Sequence, residues 1–375
     1  MKPFLLLLLT LSLNALGQSS NKEGEFESLE SALVVPMSVK SLDLSDKGLK
    51  TLPIEVEQFS NLAEIDIGSN PGLDLVQAFE VLGKLKSLKS LSLSDSKISE
   101  LPVQITSLKW LEELWLDENM FSEVPHSIKL LPNLKYVSFF SNSIRKLDLR
   151  KGDFPSLSQI NLCYNKFDVF PTELSILTQL KRIVIWGDSM TIVPNSIKRL
   201  KNIEEINMEL NYVASLPRGI NKLKNLKRLT IQQNSLTEQG LKYVYKLRSL
   251  NTLNISKNSV ANISSQIRKL SSLSSLDLSS NPLTKLPIEL SQLKAMHQLG
   301  LGDLPTMDWV SAFSIMENLL NLRRVGMYSM RLPKMPIGFD KLKQVEVFWM
   351  NSNLFDKNER ARIKALLPKA DISFN

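Results

Sequence analysis

The side chains best suited to catalysis are few in this sequence, and they lie far apart along it. Histidine occurs only as His126 and His297, and cysteine only as Cys163. Nucleophilic or acid–base catalysis needs such groups within hydrogen-bond reach of one another. Neither histidine can be placed beside Cys163 or an evident Ser–Asp pair, so both are interpreted as solvated surface residues. Only Arg182 could activate the thiol. We interpret Cys163 as a small, semi-buried filler and predict no catalytic residue.

Metal and nucleotide sites have little support in the sequence. No Cys or His spacing matches a zinc site, and the close glycine pair Gly300 and Gly302 is not part of a nucleotide-binding fingerprint. A group of carboxylates near the N-terminus could hold a divalent cation such as calcium through oxygen atoms. These carboxylates are Asp43, Asp46, Glu64 and Asp66. Because solvated surface carboxylates are far commoner than ion ligands, we predict no metal and no cofactor.

A repeat of 23 residues, lengthened once to 24 and twice to 26, runs from Val39 towards the C-terminus. LEELWLDEN, LSQINLCYN and LKRLTIQQN share its pattern, LxxLxLxxN. The leucines alternate with polar residues, as in a short strand with one buried face. The final asparagine can donate to and accept from the backbone at the turn that follows. The fourteen units begin at Val39, Leu62, Leu88, Leu111, Leu134, Leu157, Leu180, Ile203, Leu226, Leu250, Leu273, Met296, Leu322 and Val345.

Most units continue with Leu-Pro-x-x-Ile or a close variant, in which proline fixes φ at the start of a short helical turn. LPIEV at Leu52, LPVQI at Leu101 and LPRGI at Leu216 are examples. These motifs resemble the leucine-rich-repeat family, whose 23-residue LPxxI type occurs in exported bacterial proteins and in cytosolic Ras-suppressor-like scaffolds. The resemblance implies an α/β solenoid (horseshoe), with a parallel β-sheet on the concave face and short helices or 3-10 turns on the convex face. It also implies a role in binding.

Four regions are predicted along the chain: a signal peptide at 1–17, an N-terminal helical cap at 18–38, thirteen repeats at 39–344, and the last repeat with a C-terminal cap at 345–375. The two caps are expected because the open ends of a repeat stack need covers. The first cap places Phe26, Leu29 and Leu33 on one helical face. The second directs three apolar residues inward and four charged residues outward, respectively Ile363, Leu366, Leu367 and Glu359, Arg360, Arg362, Lys364.

Two units are three residues longer than the others, and their outer segments resemble each other. LDLVQAFEVLGKL begins at Leu73 and MDWVSAFSIMENL begins at Met307. The additional length predicts an α-helix in place of the short outer turn. Its helix-like apolar spacing places Trp309 in the packing of the convex side and not against a ligand.

The N-terminus has the features of an export signal. MKPFLLLLLTLSLNALG combines Lys2, an apolar run from Phe4 to Leu13, and a small-residue cleavage site before Gln18. This run is too short to span a bilayer, so we predict no membrane span after cleavage; the alternative is a retained N-terminal anchor. A single cysteine permits no internal disulfide, which is unusual for extracellular animal or plant proteins of this size. We therefore predict a bacterial protein that is secreted, periplasmic or on the cell surface.

The predicted concave face is acidic although the whole chain is basic. The third, fifth, seventh and eighth positions of the units contain twelve acidic and four basic residues, a net charge of −8, which leaves +15 on the rest of the mature chain. Nucleic-acid binding needs basic side chains that converge on one groove, whereas these lie around the rim and back. We therefore predict no nucleic-acid ligand.

Aromatic residues on the concave face concentrate in units 4 to 7, which span about 15 Å at the spacing of parallel strands. Phe140, Cys163 and Trp186 hold the same position in three consecutive units and should form one column, while Tyr328 and Trp349 form a weaker group. The predicted ligand-binding residues are Trp115, Tyr136, Phe140, Tyr164, Trp186, Glu113, Asp117, Glu118 and Arg182. Exposed aromatics with acidic neighbours are typical of a protein-binding hot spot. The alternative is that the rings only cover the sheet by stacking on each other.

Taken together, these patterns predict an exported, non-enzymatic recognition module that binds a protein or peptide ligand on its concave face. Two other functions stay open. The chain could be a structural component of the envelope or surface without a dedicated ligand. It could also bind carbohydrate, because aromatic rings beside Asp, Asn and Glu suit the faces of sugars.

Overall fold

The computed structural model describes residues 23–374, which form one parallel β-sheet whose strand order follows the sequence. The predicted signal peptide at 1–17 and the first residues of the predicted cap, 18–22, lie outside the described residues. The strands are β1 (Glu25–Phe26), β2 (Ser41–Asp43), β3 (Glu64–Asp66), β4 (Ser90–Ser92), β5 (Glu113–Trp115), β6 (Tyr136–Ser138), β7 (Gln159–Asn161), β8 (Arg182–Val184), β9 (Glu205–Asn207), β10 (Arg228–Thr230), β11 (Thr252–Asn254), β12 (Ser275–Asp277), β13 (Gln298–Gly300), β14 (Arg324–Gly326), β15 (Val347–Trp349) and β16 (Asp371–Ser373).

Short helices complete the units on the convex side. The α-helices are α1 (Leu29–Val34), α2 (Leu75–Leu82), α3 (His126–Lys129), α4 (Trp309–Met316) and α5 (Lys357–Leu366). The 3-10 helices are Pro36–Ser38, Ile54–Gln58, Val103–Ser107, Thr172–Ile176, Asn195–Arg199, Arg218–Lys222, Gln239–Leu241, Val244–Lys246, Ser265–Lys269, Ile288–Gln292 and Phe339–Lys341. Proline directly precedes several of them, where its restricted φ prepares the helical turn and its missing N–H costs no bond. The predicted fold class is confirmed.

Alternation along each strand places one set of side chains in the core, between the sheet and the outer turns. In unit 4, Leu114 and Leu116 are buried, while Glu113 is exposed and Trp115 is partly exposed. Leu114 lies in register with the core residues of both neighbouring strands. Burying one leucine side chain contributes about 1.5–3 kcal/mol. Because one unit buries only a few such residues, the stability of the fold comes from stacking.

Where the ninth position of the unit is an asparagine, its side chain joins the turn to the preceding unit. The side-chain oxygen of Asn165 accepts a bond from the Ile144 amide at 2.9 Å, and its Nδ2 donates to the Phe139 and Leu162 carbonyls at 2.8 and 3.1 Å. Asn119, Asn211 and other ninth-position asparagines make the same type of bonds. This confirms the predicted double role of the amide as donor and acceptor.

The two longer units contain α-helices, as their sequences predict. Helices α2 and α4 each have eight residues, and each begins after an aspartate, Asp74 or Asp308, that accepts bonds from the first-turn amides. Such caps satisfy donors that the helix itself leaves free. Trp309 is 4% exposed and packs against Phe313 with 5.9 Å between ring centroids, so it belongs to the convex packing as predicted.

The N-terminal cap differs from the prediction in one respect. Phe26 lies in strand β1, which pairs with β2, and the helix begins only at Leu29 after the side-chain cap Ser28. Phe26, Leu29 and Leu33 nevertheless all pack against the core. The edge of β2 explains the difference, because an added short strand satisfies its backbone groups while still directing Phe26 to the core.

The C-terminal cap is helix α5 followed by strand β16, which pairs with β15. Ile363 and Leu367 are buried as predicted. The sequence predicts that Glu359 faces outward, but this residue is 7% exposed. Its carboxylate accepts the Met335 amide at 2.7 Å and pairs with Arg362 at 2.7 Å. The side chain is therefore buried because it satisfies a backbone donor of the preceding unit. Within residues 23–374, no helix is long and apolar enough to cross a membrane.

Candidate binding surface

The predicted ligand-binding residues lie on or just after strands β5 to β8, on the face of the sheet opposite the leucine core. Glu113 and Trp115 are in β5, Tyr136 in β6 and Arg182 in β8. The others occupy the seventh and eighth positions, where each strand turns into the loop. The parallel register therefore brings residues that are 23 apart in sequence onto neighbouring strands.

Trp115 and Tyr136 form the first aromatic group. Their ring centroids are 4.7 Å apart and the rings are inclined by 56°. Both side chains are partly exposed. Burial of the Tyr136 hydroxyl raises its pKa to about 12, partly offset by hydrogen bonding to Ser138 and Asn161. The pair is an aromatic surface that is partly open to solvent.

Phe140, Tyr164 and Trp186 form the second group. The Tyr164 ring contacts Phe140 and Trp186 with centroid distances of 5.3 and 4.6 Å, and Phe140 meets Trp186 at 6.2 Å. Phe140, Cys163 and Trp186 form the predicted column, and the small Cys163 side chain packs in one cluster with the two rings. Edge-to-face contacts of this kind are favourable beyond the area they bury.

The sequence predicts that Trp186 is exposed on the binding surface, but this residue is only 6% exposed. The Tyr164 ring covers it, and this position of the ring depends on Gly187. A Cβ atom on Gly187 would lie 2.8 Å from Tyr164 Cδ1, and the glycine also adopts φ +78°. Trp186 is therefore the base of the second group, and Phe140 and Tyr164 form its partly exposed surface.

Cys163 is a filler, as predicted, although it is fully buried and not semi-buried. Burial raises the pKa of its thiol well above the ordinary value, while the Trp186 backbone amide donates to the sulfur and acts in the opposite direction. A thiol with a raised pKa is a poor nucleophile at neutral pH. Cys163 therefore has a packing role beneath the rings.

The three acidic residues of the predicted site differ in their exposure and in their hydrogen bonds. Glu113 and Glu118 are exposed. Asp117 turns towards the neighbouring unit, where its Oδ1 accepts bonds from the Ser138 hydroxyl and from the Phe140 amide at 2.9 Å. Burial raises the Asp117 pKa to about 6 despite these two bonds. Asp117 thus holds Phe140 in place, and only Glu113 and Glu118 present free acidic groups beside Trp115.

Arg182 belongs to a row of ion-paired side chains whose other two members, Glu205 and Arg228, were not part of the predicted site. Glu205 lies between two arginines and pairs with Arg182 at 3.1 Å and with Arg228 at 2.5 Å. The three residues hold the third position of consecutive units, so the 23-residue spacing is the signal from which the row could have been found. Two guanidinium groups share one carboxylate, which leaves a local excess of positive charge on an otherwise acidic face.

Asp188 was also missed, although its signal is visible in the sequence. It holds the ninth position, where the neighbouring units have Asn165 and Asn211. Its Oδ1 accepts the Phe167 amide at 3.2 Å, but its buried Oδ2 has no hydrogen-bond partner among the described residues. Burial raises the Asp188 pKa to about 7. A carboxylate cannot donate to the carbonyls that an asparagine amide would bind, so the site favours the protonated acid.

The remaining candidates lie apart from these groups. His126 and His297 are both exposed. The weaker C-terminal group contains Trp349, which is 37% exposed, and Tyr328, whose ring lies over Gly302. In the part of the chain that the structure describes, no group of three or more His, Cys, Asp or Glu side chains is placed to hold a metal ion.

Two family models match the sequence. The model of a leucine-rich repeat region matches residues 38–186, and a second leucine-rich repeat model matches residues 224–283. With the strand order and the asparagine bonds described above, these matches show that the chain belongs to the leucine-rich-repeat family. The comparison with curated proteins gave no match.

Solved structures with this fold include a leucine-rich-repeat protein of Leptospira interrogans, which is 27% identical with a TM-score of 0.75 over 94% of this chain and 100% of that chain. The plant peptide hormone receptor RGFR1, solved with RGF2, is 20% identical with a TM-score of 0.56, covering 88% of this chain and 57% of that chain. TLR13, in its complex with ssRNA13, is 18% identical with a TM-score of 0.67, covering 91% and 58%. At the last two identities the likeness concerns the fold alone.

Proposed function

We propose that this chain is an exported, non-enzymatic recognition module that binds a protein or peptide ligand on its concave face. The observation that carries the proposal is the Trp115–Tyr136 pair, which is partly exposed on a sheet face whose surroundings are polar and acidic. Tryptophan and tyrosine dominate the energetics of protein interfaces because they bury large areas with few rotatable bonds.

The rings are held in place before any ligand arrives, and this supports a binding role. Tyr136 packs against Trp115, and Asp117 fixes the backbone of Phe140 beside them. Preorganised side chains lose less conformational entropy when they bind. A surface that only covered the sheet would not need both rings of the pair partly open to solvent.

The charges near the pair indicate the chemistry of the ligand. Glu113 and Glu118 are exposed on either side of Trp115 along the chain. We propose that the ligand offers an apolar or aromatic side chain to the Trp115–Tyr136 pair and a basic side chain to these carboxylates. Charge complementarity of this kind favours specificity and association rate more than affinity.

A structural relative adds support for a peptide or protein ligand. RGFR1 is a plant peptide hormone receptor, and its structure in complex with RGF2 has the same fold. Export rests on the N-terminal sequence MKPFLLLLLTLSLNALG. Cell fractionation tests the location: the shortened mature chain is expected outside the cytosol, and full-length, uncleaved protein in the cytosol would contradict export.

The binding proposal is tested by capturing partners from extracellular and envelope fractions with the mature chain. The variant Trp115→Ala with Tyr136→Ala should lose the captured protein. Trp110→Ala is the matched control, because Trp110 is 46% exposed and precedes unit 4 outside the strand. Equal retention of a defined protein by all forms would overturn the proposed site. Retention of a glycan in place of a protein would favour the carbohydrate-binding alternative.

A further inference from the structure

The outer side of units 7 to 10 is a strongly basic surface. We name it the basic outer face and define it by residues 195–202, 217–225, 238–249 and 264–272. These segments contain eleven Lys and Arg residues, all exposed, and one acidic residue, Glu238. Each segment includes a 3-10 helix or the turn that follows it. The fold itself does not require this charge, because the equivalent outer turn of unit 1 carries Glu55 and Glu57.

The charges are arranged in rows that run along the solenoid. Arg199, Lys222, Lys246 and Lys269 occupy the same place in four consecutive units, immediately before a buried leucine. Neighbouring turns are held together by bonds such as that from Asn225 Nδ2 to the Lys201 carbonyl, at 2.9 Å. The turns therefore present a regular row of cations on a rigid support.

Two cavities open on this face, and both are lined by cations. Lys224, Lys246, Arg248 and Lys269 line a cavity of about 760 Å³ together with the serines 249, 271 and 272. The second cavity, of about 250 Å³, lies between Lys198, Arg218 and Lys222 with Asn195 and Gly219, and its walls are mainly the apolar stems of these side chains. Ammonium, guanidinium and hydroxyl donors without a carboxylate are the groups that bind sulfate and phosphate oxygens.

These cations are not neutralised by the protein. Among residues 23–374, none of the eleven forms an ion pair, whereas the strand bases Lys227 and Arg228 of the same units pair with Glu204 and Glu205. Like charges held close together repel one another in the folded state. A bound polyanion would remove that repulsion.

The aromatic residues of this face decide between two classes of polyanion. Single-stranded nucleic acid is bound through cations together with open aromatic rings on which bases stack. Here Tyr245 is 2% exposed, and the partly exposed Tyr243 ring has the ammonium groups of Lys242 and Lys246 at 5.9 and 5.8 Å from its centroid. Within its defining segments the face therefore offers eleven exposed cations for anionic groups but a single partly exposed ring on which a base could stack.

From these observations we propose that the basic outer face binds an acidic polysaccharide that carries sulfate or phosphate groups. A linear polymer with regularly spaced anions matches the row of cations, and the larger cavity offers lysine, arginine and serine donors to its charged groups. This site is separate from the concave face. The molecule would then engage a polysaccharide on its back while its concave face stays open.

The test measures binding of the mature chain to heparin, used as a sulfated polysaccharide probe, at an ionic strength of about 0.15 M. Replacing Lys224, Lys246, Arg248 and Lys269 by Gln should weaken binding at least tenfold and reduce its salt dependence, because fewer counterions are released. A control with the same change in net charge replaces exposed lysines of units 1 to 6, Lys47, Lys86, Lys109 and Lys166, by Gln. The control should change affinity less than twofold.

Two further arms complete the test. Trp115→Ala with Tyr136→Ala should leave heparin binding unchanged, which separates this site from the concave surface. Equal losses in the two quadruple variants, when both melt like the parent chain, would show a net-charge effect and overturn the proposed site. Absence of heparin binding would overturn it as well. Tighter binding of single-stranded RNA than of heparin would overturn the polysaccharide class.

Discussion

Units 8, 10 and 11 of the concave face follow a bonding rule that units 5 and 7 do not. In the regular units, Asn207, Asn254 or Asp277 at the fifth position accepts the amide of the residue two positions later, at 3.0 Å. Unit 5 has Ser138 at this position and unit 7 has Val184. The corresponding amides instead reach the neighbouring unit, where Asp117 Oδ1 and the Cys163 sulfur accept them.

This difference shows how the aromatic surface is accommodated in the repeat. In the regular units the fifth-position side chain satisfies the seventh-position amide of its own unit. In unit 5 the acceptor is Asp117 of the preceding unit and in unit 7 it is Cys163 of the preceding unit, whereas unit 6 keeps the regular bond, from the Cys163 amide to Asn161 Oδ1 at 3.1 Å. Departures from locally consistent structure are expected at functional sites.

Trp186→Ala should have the largest effect on stability. The substitution removes a buried ring from beneath Phe140 and Tyr164, and large-to-small changes of this kind cost about 3–5 kcal/mol. Ser256→Ala, at the same seventh position of regular unit 10, should cost less than about 1 kcal/mol. Urea denaturation followed by circular dichroism measures both. Similar costs for the two variants would show that the aromatic region is no more dependent on packing than the regular one.

Asp188→Asn should stabilise the chain, because the regular units have asparagine at this position. The folded-state pKa of Asp188 is raised to about 7, above an unfolded value of about 4. The contribution of the acid to stability is therefore complete below pH of about 4 and is lost as the pH rises to about 7. The variant should gain roughly 2–4 kcal/mol at pH of about 8 and clearly less at pH of about 5.

Denaturation of both forms at the two pH values tests this prediction. Asn211→Asp is the reciprocal control, since it introduces the same acid into regular unit 8 and should destabilise with the same dependence on pH. A gain in Asp188→Asn that did not change with pH would contradict the proposed protonation.

Asp117→Ala should have a smaller effect on stability. It removes the acceptor for the Phe140 amide and the Ser138 hydroxyl, and the loss of such bonds costs about 1–2 kcal/mol. Glu118→Ala removes an exposed carboxylate from the next residue and should cost about 0.5 kcal/mol or less. Thermal melts of the pair make the comparison. A larger loss of stability in Glu118→Ala than in Asp117→Ala would contradict the interpretation of Asp117 as a structural acid and of Glu118 as an exposed one.

Much of this architecture could be predicted from the sequence because each repeat satisfies the same local rules. The strand leucines, the ninth-position asparagines and the helices of the longer units follow from spacing alone. The exposure of Trp186 could not be predicted, because it depends on the Tyr164 ring crossing Gly187 from the neighbouring unit. The predicted positions of Phe26 and Glu359 were wrong for a related reason. Each residue satisfies backbone groups of a neighbouring segment, which the helical spacing of its own segment does not reveal.

The affinity of the captured protein for Trp115→Ala tests the central claim most directly. Isothermal titration should show a loss of at least about 30-fold, equivalent to about 2 kcal/mol for a central hot-spot residue, with an unchanged melting temperature. Trp110→Ala, measured in parallel, should change the affinity less than twofold. An affinity for Trp115→Ala equal to that of the parent chain would contradict the assignment of the Trp115–Tyr136 pair as the binding surface.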